Sequence, residues 1–324
     1  MHSIEELQQI FEEELRAQRF NREPANLYEP FGYMLGLSGK RTRPVMLMLA
    51  CEMFGGDVKK ALPQAIAIEL FHNFTLIHDD IMDSAPLRRG MPAVHEKFNR
   101  AVAILSGDAM LVYAYQYLVQ VKATLVGKLI SVFNQCAVKV CEGQQMDMNF
   151  ETAANVSIKD YLQMIELKTA TLIAASLQIG ALIGGAHDAD ANRLYEFGRE
   201  LGIAFQLKDD WLDAFGDSDK TGKQRGGDIV QNKKTFLLLA AMNLADSPTK
   251  SQLKNLIASK ENNGEEKVKR VLEIFHLLKL DHITKEQSDK HYTNALAHLD
   301  KIPAIIKEKD PLINLAALLM KREY

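Results

Sequence analysis

The chain has 324 residues, of which 47% are apolar and 25% charged, with a formal net charge of -3. That composition belongs to a water-soluble globular protein with a sizeable core. It lacks the basic excess expected of a nucleic-acid binder, so any anion site must be a local arrangement.

Apolar residues recur at helical spacing along nearly the whole chain, and no stretch alternates convincingly as a strand would. Helices are predicted over 3–18, 26–37, 44–54, 59–84, 98–121, 124–150, 158–184, 189–215, 226–244, 248–258, 265–280, 284–299 and 309–321. Glycine and proline supply the breaks, at Gly39 to Pro44, Gly55 and Gly56, Arg89 to Pro92, Gly184 and Gly185, and Gly216 to Gly227. Ser157 followed by Asp160 reads as a capping box in its weaker Asp version. The polar stretch 246–270 reads as a solvated helical hairpin. With short links and no repeat, one all-α domain over 1–324 is expected, with about 20 N-terminal residues and the C-terminal tail peripheral.

The opening MHSIEELQQIFEEELRAQ is acidic and amphipathic, unlike a signal or transit peptide. The apolar runs 101–119 and 162–187 contain Asp108, and Glu166 with Lys168, so no integral membrane segment is expected. Cys51, Cys136 and Cys141 lack metal-ligand spacing and read as reduced, structural thiols of a cytoplasmic protein.

The chemistry concentrates in two acidic clusters. Asp79, Asp80 and Asp83 form DDxxD in LIHDDIMDSAPLRRG, and Asp209, Asp210 and Asp213 repeat it in FQLKDDWLDAFGD. On a helix the first and third carboxylates of each set lie about 40° apart and the second about 100° from the first, so all three can enter one cavity. With 20 aspartates in the chain, composition alone yields about 0.08 such motifs, so two on apolar helices need a cause. Like charges this close repel and raise one another's pKa, which a divalent cation relieves. An all-oxygen donor set selects Mg²⁺ over zinc.

Cations accompany both clusters. SGKRTRP holds Lys40, Arg41 and Arg43, and Arg88 and Arg89 follow the first triad. Lys168 interrupts an apolar run, and Lys223 and Lys233 flank a glycine-rich loop after the second triad. Guanidinium forks and lysine point charges suit diphosphate oxygens. So many charged groups suit two diphosphates better than one. Taken singly, Arg41 and Lys234 read as surface charge. His72 lies almost two turns before Asp79 on nearly the same face, and His78 reads as structural. Thr169, Gln206, Gln144 and Asp147 complete the polar residues of interest.

These motifs resemble those of the trans-isoprenyl diphosphate synthases, the farnesyl and geranylgeranyl diphosphate synthase family. Similar to family patterns are GKRTRP, HDDIMD with LRRG, LSGDAML, EGQQMD, LKTA, GIAFQLKDDWLD and GKQRGGDIVQNKKT, spanning about residues 20 to 303. The departures are Ser38 and Asn232 at usual glycines, and Asn accepts unusual backbone angles.

The resemblance implies an isoprenoid synthase fold, antiparallel helices around a deep central cavity, in a homodimer. It implies head-to-tail (1'-4) condensation of isopentenyl diphosphate with an allylic diphosphate (dimethylallyl, geranyl or farnesyl). Asp79, Asp80, Asp83 and Asp209 would hold three Mg²⁺ ions, with Asp210 and Asp213 in support. Arg88, Lys168, Lys223 and Lys233 would grip the allylic diphosphate; Lys40, Arg43, His72 and Arg89 would bind isopentenyl diphosphate. Thr169 and Gln206 would line the reacting centre. Phe74 with the smaller Thr75 matches the pattern of members making geranylgeranyl diphosphate, the favoured product, with farnesyl or longer products as alternatives. A class I terpene cyclase would share the first triad, but it does not need a second DDxxD or a second diphosphate site. A non-catalytic partner subunit could lose these charges, and this chain keeps them.

Overall fold

The computed structural model describes residues 1–18, 20, 22–216, 225–258, 264–303 and 306–321. Their secondary structure is helical apart from one two-residue hairpin, as the periodicity predicts. The backbone groups into two compact units: Met1–Ala137 with Leu172–Tyr195 and Ile302–Leu312, and Val138–Thr171 with Glu196–Lys301 and Ile313–Tyr324.

The first unit begins with α1 (Ile4–Ala17), where Ser3 and Glu6 make a capping box and Leu7, Phe11 and Leu15 form one buried stripe. Helices α2 (Ala25–Gly36), α3 (Thr42–Met53) and α4 (Val58–Met82) follow. Helix α3 is buried almost all round, which is why its apolar residues show no amphipathic face. Strands β1 (Leu87–Arg88) and β2 (Met91–Pro92) pair through a turn at Arg89 and Gly90, both in the left-handed region (φ 52° and 76°). A strand pair this short has no alternation to read. Helices α5 (Val94–Lys97) and α6 (Arg100–Leu118) complete this stretch, and α6 packs along α4.

Helix α7 (Ala123–Thr152) supplies residues to both units. Then come α8 (Ile158–Ile165), a π-helical turn (Glu166–Ala170), α9 (Thr171–Gly184) and α10 (Asp188–Phe215). The predicted Ser157–Asp160 capping box is present: Asp160 N donates to Ser157 Oγ at 3.1 Å and Ser157 N to Asp160 Oδ2 at 3.0 Å.

In the second unit the expected single helix 226–244 is two: α11 (Gly227–Val230) and α12 (Phe236–Leu244). The break falls at Asn232, whose φ of 57° no helix accommodates and asparagine tolerates. Lys267 Nζ donates to Asn232 Oδ1 at 2.6 Å and secures that turn. The polar stretch after it forms α13 (Ser247–Ala258) and α14 (Gly264–Leu277), which bury Leu253, Leu256, Val271 and Phe275. Helices α15 (Leu280–Asp300) and α16 (Ile306–Met320) end the chain. The core of this unit gathers Tyr161, Ile165, Leu207, Phe236 and Phe275.

Two helical stretches, Ala123–Thr152 and Ile158–Gly184, are long and apolar enough to cross a membrane. The apolar window of the second is 67% buried within the protein, as a core helix should be, whereas that of α7 is only 22% buried. Cys51 and Cys136 are buried, and Cys141 is exposed rather than packed in a core.

Candidate active site

In the first unit, α4 presents Asp79 and Asp80 in its last turn and ends at Met82. Asp83 is the C-cap, and its N–H donates to Asp79 O at 2.8 Å. Asp80 is only 1% exposed. Arg88 reaches back from β1 and grips it as a fork, Nε to Oδ2 at 2.8 Å and Nη2 to Oδ1 at 2.5 Å. Burial opposes the Arg88 charge, yet Asp80, Asp79 and Asp83 together hold its pKa above the ordinary value. Two groups expected to touch different parts of a ligand thus already neutralise one another.

A second cluster in the same unit gathers arginines around His72. Arg43 Nη1 lies 3.3 Å from His72 Nε2, and Arg89 Nη1 donates to Leu37 O at 3.3 Å. Burial, then Arg43, Arg89, Arg88 and Arg41, hold the half-buried His72 imidazole well below its usual value, so it is neutral at pH 7. Burial and the neighbouring Arg41 and Arg88 also lower the Arg89 pKa, against Glu69. Lys40 is exposed. The close approach depends on Gly39, because a Cβ there would meet Arg89 Nη1 at 2.7 Å. A positive field this dense is what a multiply charged anion requires.

Arg41 is not surface charge. It is 5% exposed and ion-paired to Glu69 at 2.6 Å and Glu12 at 2.7 Å.

In the same unit the Phe74 ring lies between Phe71 (5.7 Å between centroids) and His78 (4.7 Å), and Phe71 contacts Phe133 at 5.1 Å. Thr75 Oγ1 donates to His72 O at 2.8 Å. His78 Nε2 lies 3.3 Å from Ile104 O and 3.7 Å from Asp108 Oδ1.

The second unit holds a cavity of about 130 Å³ whose lining includes Asp147, Lys168, Thr169, Gln206, Asp210 and Lys233. Lys168 Nζ pairs with Asp147 Oδ2 at 2.6 Å, and Thr169 Oγ1 donates to Gln206 Oε1 at 3.3 Å. Both Lys168 and Thr169 sit in the π-helical turn. The extra residue of such a turn re-aims side chains, and π-turns are frequent at functional sites.

Asp210 is buried and accepts from the Tyr161 hydroxyl, from Gln206 Nε2 at 3.1 Å and from Phe236 N at 3.4 Å. Burial and the facing Asp228 push its carboxyl up to about 8 in spite of those donors. Asp213 accepts from Asp228 N at 3.1 Å and so braces the start of α11, while Asp209 is half-buried. Lys233 pairs with Asp228 at 3.6 Å. Lys234, expected at the surface, instead donates to the carbonyls of Phe150 and Ala153. Lys223 lies outside the described residues.

The sequence reading missed Tyr161, Asp228 and Lys234 as parts of this site. Tyr161 lies seven residues before Lys168, two helical turns away, a spacing that could have flagged it. Asp228 follows two glycines and carries no comparable signal.

Among the described residues no three His, Cys, Asp or Glu side chains converge as a ready metal site. Mg²⁺ takes one or two carboxylates and completes its shell with water and phosphate oxygens. The Asp210–Asp228 repulsion is also what a cation would offset. The residues fit the ion.

Residues 24–275 match the family model described as polyprenyl synthetase. The geranylgeranyl diphosphate synthase of Methanosarcina mazei is 46% identical over 220 residues, 67% of this chain and 68% of that protein. The geranylfarnesyl diphosphate synthase of Natronomonas pharaonis is 36% identical over 289 residues, 81% of this chain and 84% of that one. A crystal structure of a geranylgeranyl pyrophosphate synthase matches with a TM-score of 0.95 at 40% identity, covering 100% of each chain.

Proposed function

Because this chain belongs to the polyprenyl synthetase family of trans-isoprenyl diphosphate synthases, we propose that it makes geranylgeranyl diphosphate. The class of reaction is Mg²⁺-dependent head-to-tail prenyl transfer. The observation that carries the reading is a second cationic cluster in the unit that holds the first acidic cluster, with Arg43 Nη1 3.3 Å from His72 Nε2 and Arg89 Nη1 bonded to Leu37 O at 3.3 Å. A cyclase handles one diphosphate and has no use for a second cationic cluster.

In this reading Asp79, Asp80, Asp83 and Asp209 would hold three Mg²⁺ ions, with Asp210 and Asp213 in support. Mg²⁺ supplies Lewis-acid stabilisation of the departing diphosphate. Arg88, Lys168, Lys223 and Lys233 bind the same allylic diphosphate, so its C–O bond breaks with the negative charge already matched. Lys40, Arg43, His72 and Arg89 hold isopentenyl diphosphate, with His72 as a neutral hydrogen-bonding group. Its double bond attacks the allylic carbon and forms the new C–C bond, and fixed positioning replaces a bimolecular search. A proton then leaves for the released diphosphate. Thr169 and Gln206, bonded to each other at 3.3 Å, would line the reacting centre, and Asp210, which accepts from Tyr161, also accepts from Gln206 Nε2 and holds it in place.

Product length is assigned to the Phe74 ring, which packs tilted against Phe71, itself in edge contact with Phe133. Phe74→Ala should shift the main product to at least one isoprene unit longer, read by chromatography of the dephosphorylated alcohols. An unchanged distribution would reject Phe74 as the floor. The test of the whole reading is incubation with each allylic starter, alone and with isopentenyl diphosphate. A C20 alcohol after dephosphorylation, formed only when both are present, supports it. Hydrocarbon from the starter alone would replace it with a cyclase.

We also read the chain as a homodimer acting in the cytoplasm. Helix α6 exposes Ile104, Leu105 and Val112, and the apolar window of α7 is only 22% buried. A second copy would cover such surface. Light scattering should return twice the 36.4 kDa chain mass, and Val112→Glu should shift it toward one. A monomer at micromolar concentration would refute the dimer.

A further inference from the structure

We propose that Arg41 is a positioning residue for isopentenyl diphosphate, and that α1 is part of that site through Glu12; this rests on the site assigned above. Helix α1 ends before residue 24, where the family match begins. Yet it reaches the GKRTRP turn through a charged contact.

Arg41 is the N-cap of α3 in the left-handed conformation (φ 45°, ψ 36°), which an L-residue with a long side chain adopts only when its surroundings impose it. The guanidinium supplies that constraint. Nε donates to Glu12 Oε1 at 2.7 Å, Nη1 to Glu69 Oε1 at 2.6 Å, and Nη2 to Leu35 O at 2.5 Å and Leu37 O at 3.4 Å. The side chains of Arg41 and Glu69 are each 3% exposed. With its donors turned inward, Arg41 is no direct ligand. Burial works against its charge, but Glu69 and Glu12 hold its pKa above the ordinary value.

Two of the four partners of Arg41, Leu37 and Glu69, lead on to residues assigned to the isopentenyl diphosphate site. Leu37 O also accepts from Arg89 Nη1 at 3.3 Å. Glu69 Oε1 also accepts from Asn73 Nδ2 at 3.1 Å, and Asn73 follows His72 on α4. Lys40 and Arg43 flank Arg41 in the chain, and its left-handed backbone sets the angle between them. One buried fork therefore ties α1, the 35–41 turn and α4 together behind Lys40, Arg43, His72 and Arg89. Glu12 is the part of this tie that comes from outside the family-matched region.

The test uses the full-length chain with Glu12→Gln, which removes the charge and keeps the side-chain length. The stripe of Leu7, Phe11 and Leu15 still holds α1 in place. We expect KM for isopentenyl diphosphate to rise about fivefold or more, with kcat and KM for the allylic diphosphate within about twofold. Glu12→Asp should recover part of the loss, and Arg41→Lys, which keeps the charge but loses the fork, should exceed it. Arg43→Gln serves as the control on the site itself. If Arg43→Gln raises KM for isopentenyl diphosphate and Glu12→Gln does not, the role of Arg41 and α1 is wrong and the site stands. If Arg43→Gln leaves that KM unchanged, the site assignment fails and takes this inference with it. A Glu12→Gln protein that only melts earlier, or loses affinity for both substrates alike, also overturns the proposal.

Discussion

Asp80→Asn should lower turnover at saturating substrates by about three orders of magnitude and leave the helical fold intact. The carboxylate is nearly inaccessible and bound by the Arg88 fork, so it has two separable duties. One is to accept the hydrogen bonds of the Arg88 fork; the other, on the proposed reading, would be to offer negative charge to Mg²⁺. Asparagine keeps the volume and one acceptor for Arg88, so the packing at the end of α4 survives. It cannot supply the charge. Asp80→Ala removes both duties and should also destabilise, because breaking a fully buried pair costs about 3–5 kcal/mol. Arg88 retains 27% side-chain exposure, so the lower part of that range applies. Turnover, circular dichroism and the Mg²⁺ dependence of the rate measured on both variants separate these effects. An Asp80→Asn enzyme within tenfold of the parent rate would contradict the metal assignment.

Gly143→Ala carries the second large expectation. A Cβ at Gly143 would stand 2.3 Å from Lys168 N, 2.7 Å from Lys168 Cα and 2.8 Å from Leu167 C. All three are backbone atoms, so no flexible tip can swing aside. Helix α7 and the π-helical turn must separate, and that turn carries Lys168 and Thr169. Asp147, one helical turn along α7 from Gly143, would move off the Lys168 ammonium it now meets at 2.6 Å. Misplacing a binding group by about 1 Å costs up to about 100-fold, and we expect kcat to fall by about 10- to 100-fold. Overpacking should lower stability by about 1–3 kcal/mol. Single-turnover rates alongside thermal unfolding check both; an unchanged rate would mean the turn does not position Lys168.

Much of the fold was legible because helical signals are local. The capping box at Ser157, the stripe of Leu7, Phe11 and Leu15, and the break at Gly55 each depend on residues within a turn or two of one another. The split of 226–244 escaped because the strongly apolar FLLLAAMNL extends the helical reading back over GGDIV, whereas the left-handed backbone at Asn232 separates the two.

The sequence by itself determined the all-α class, the two DDxxD clusters and the spaced cations, since each is a pattern of neighbours on one chain segment. Only the tertiary structure decided what several of those charges do. Arg41 and Lys234 look like surface residues until Glu69, Glu12 and the carbonyls of Phe150 and Ala153 come to them from far along the chain. Asp210 is one aspartate among six until Tyr161 and Asp228 bury it. The physical reason is that a charged group's role depends on its partners and its access to water, and long-range packing sets both.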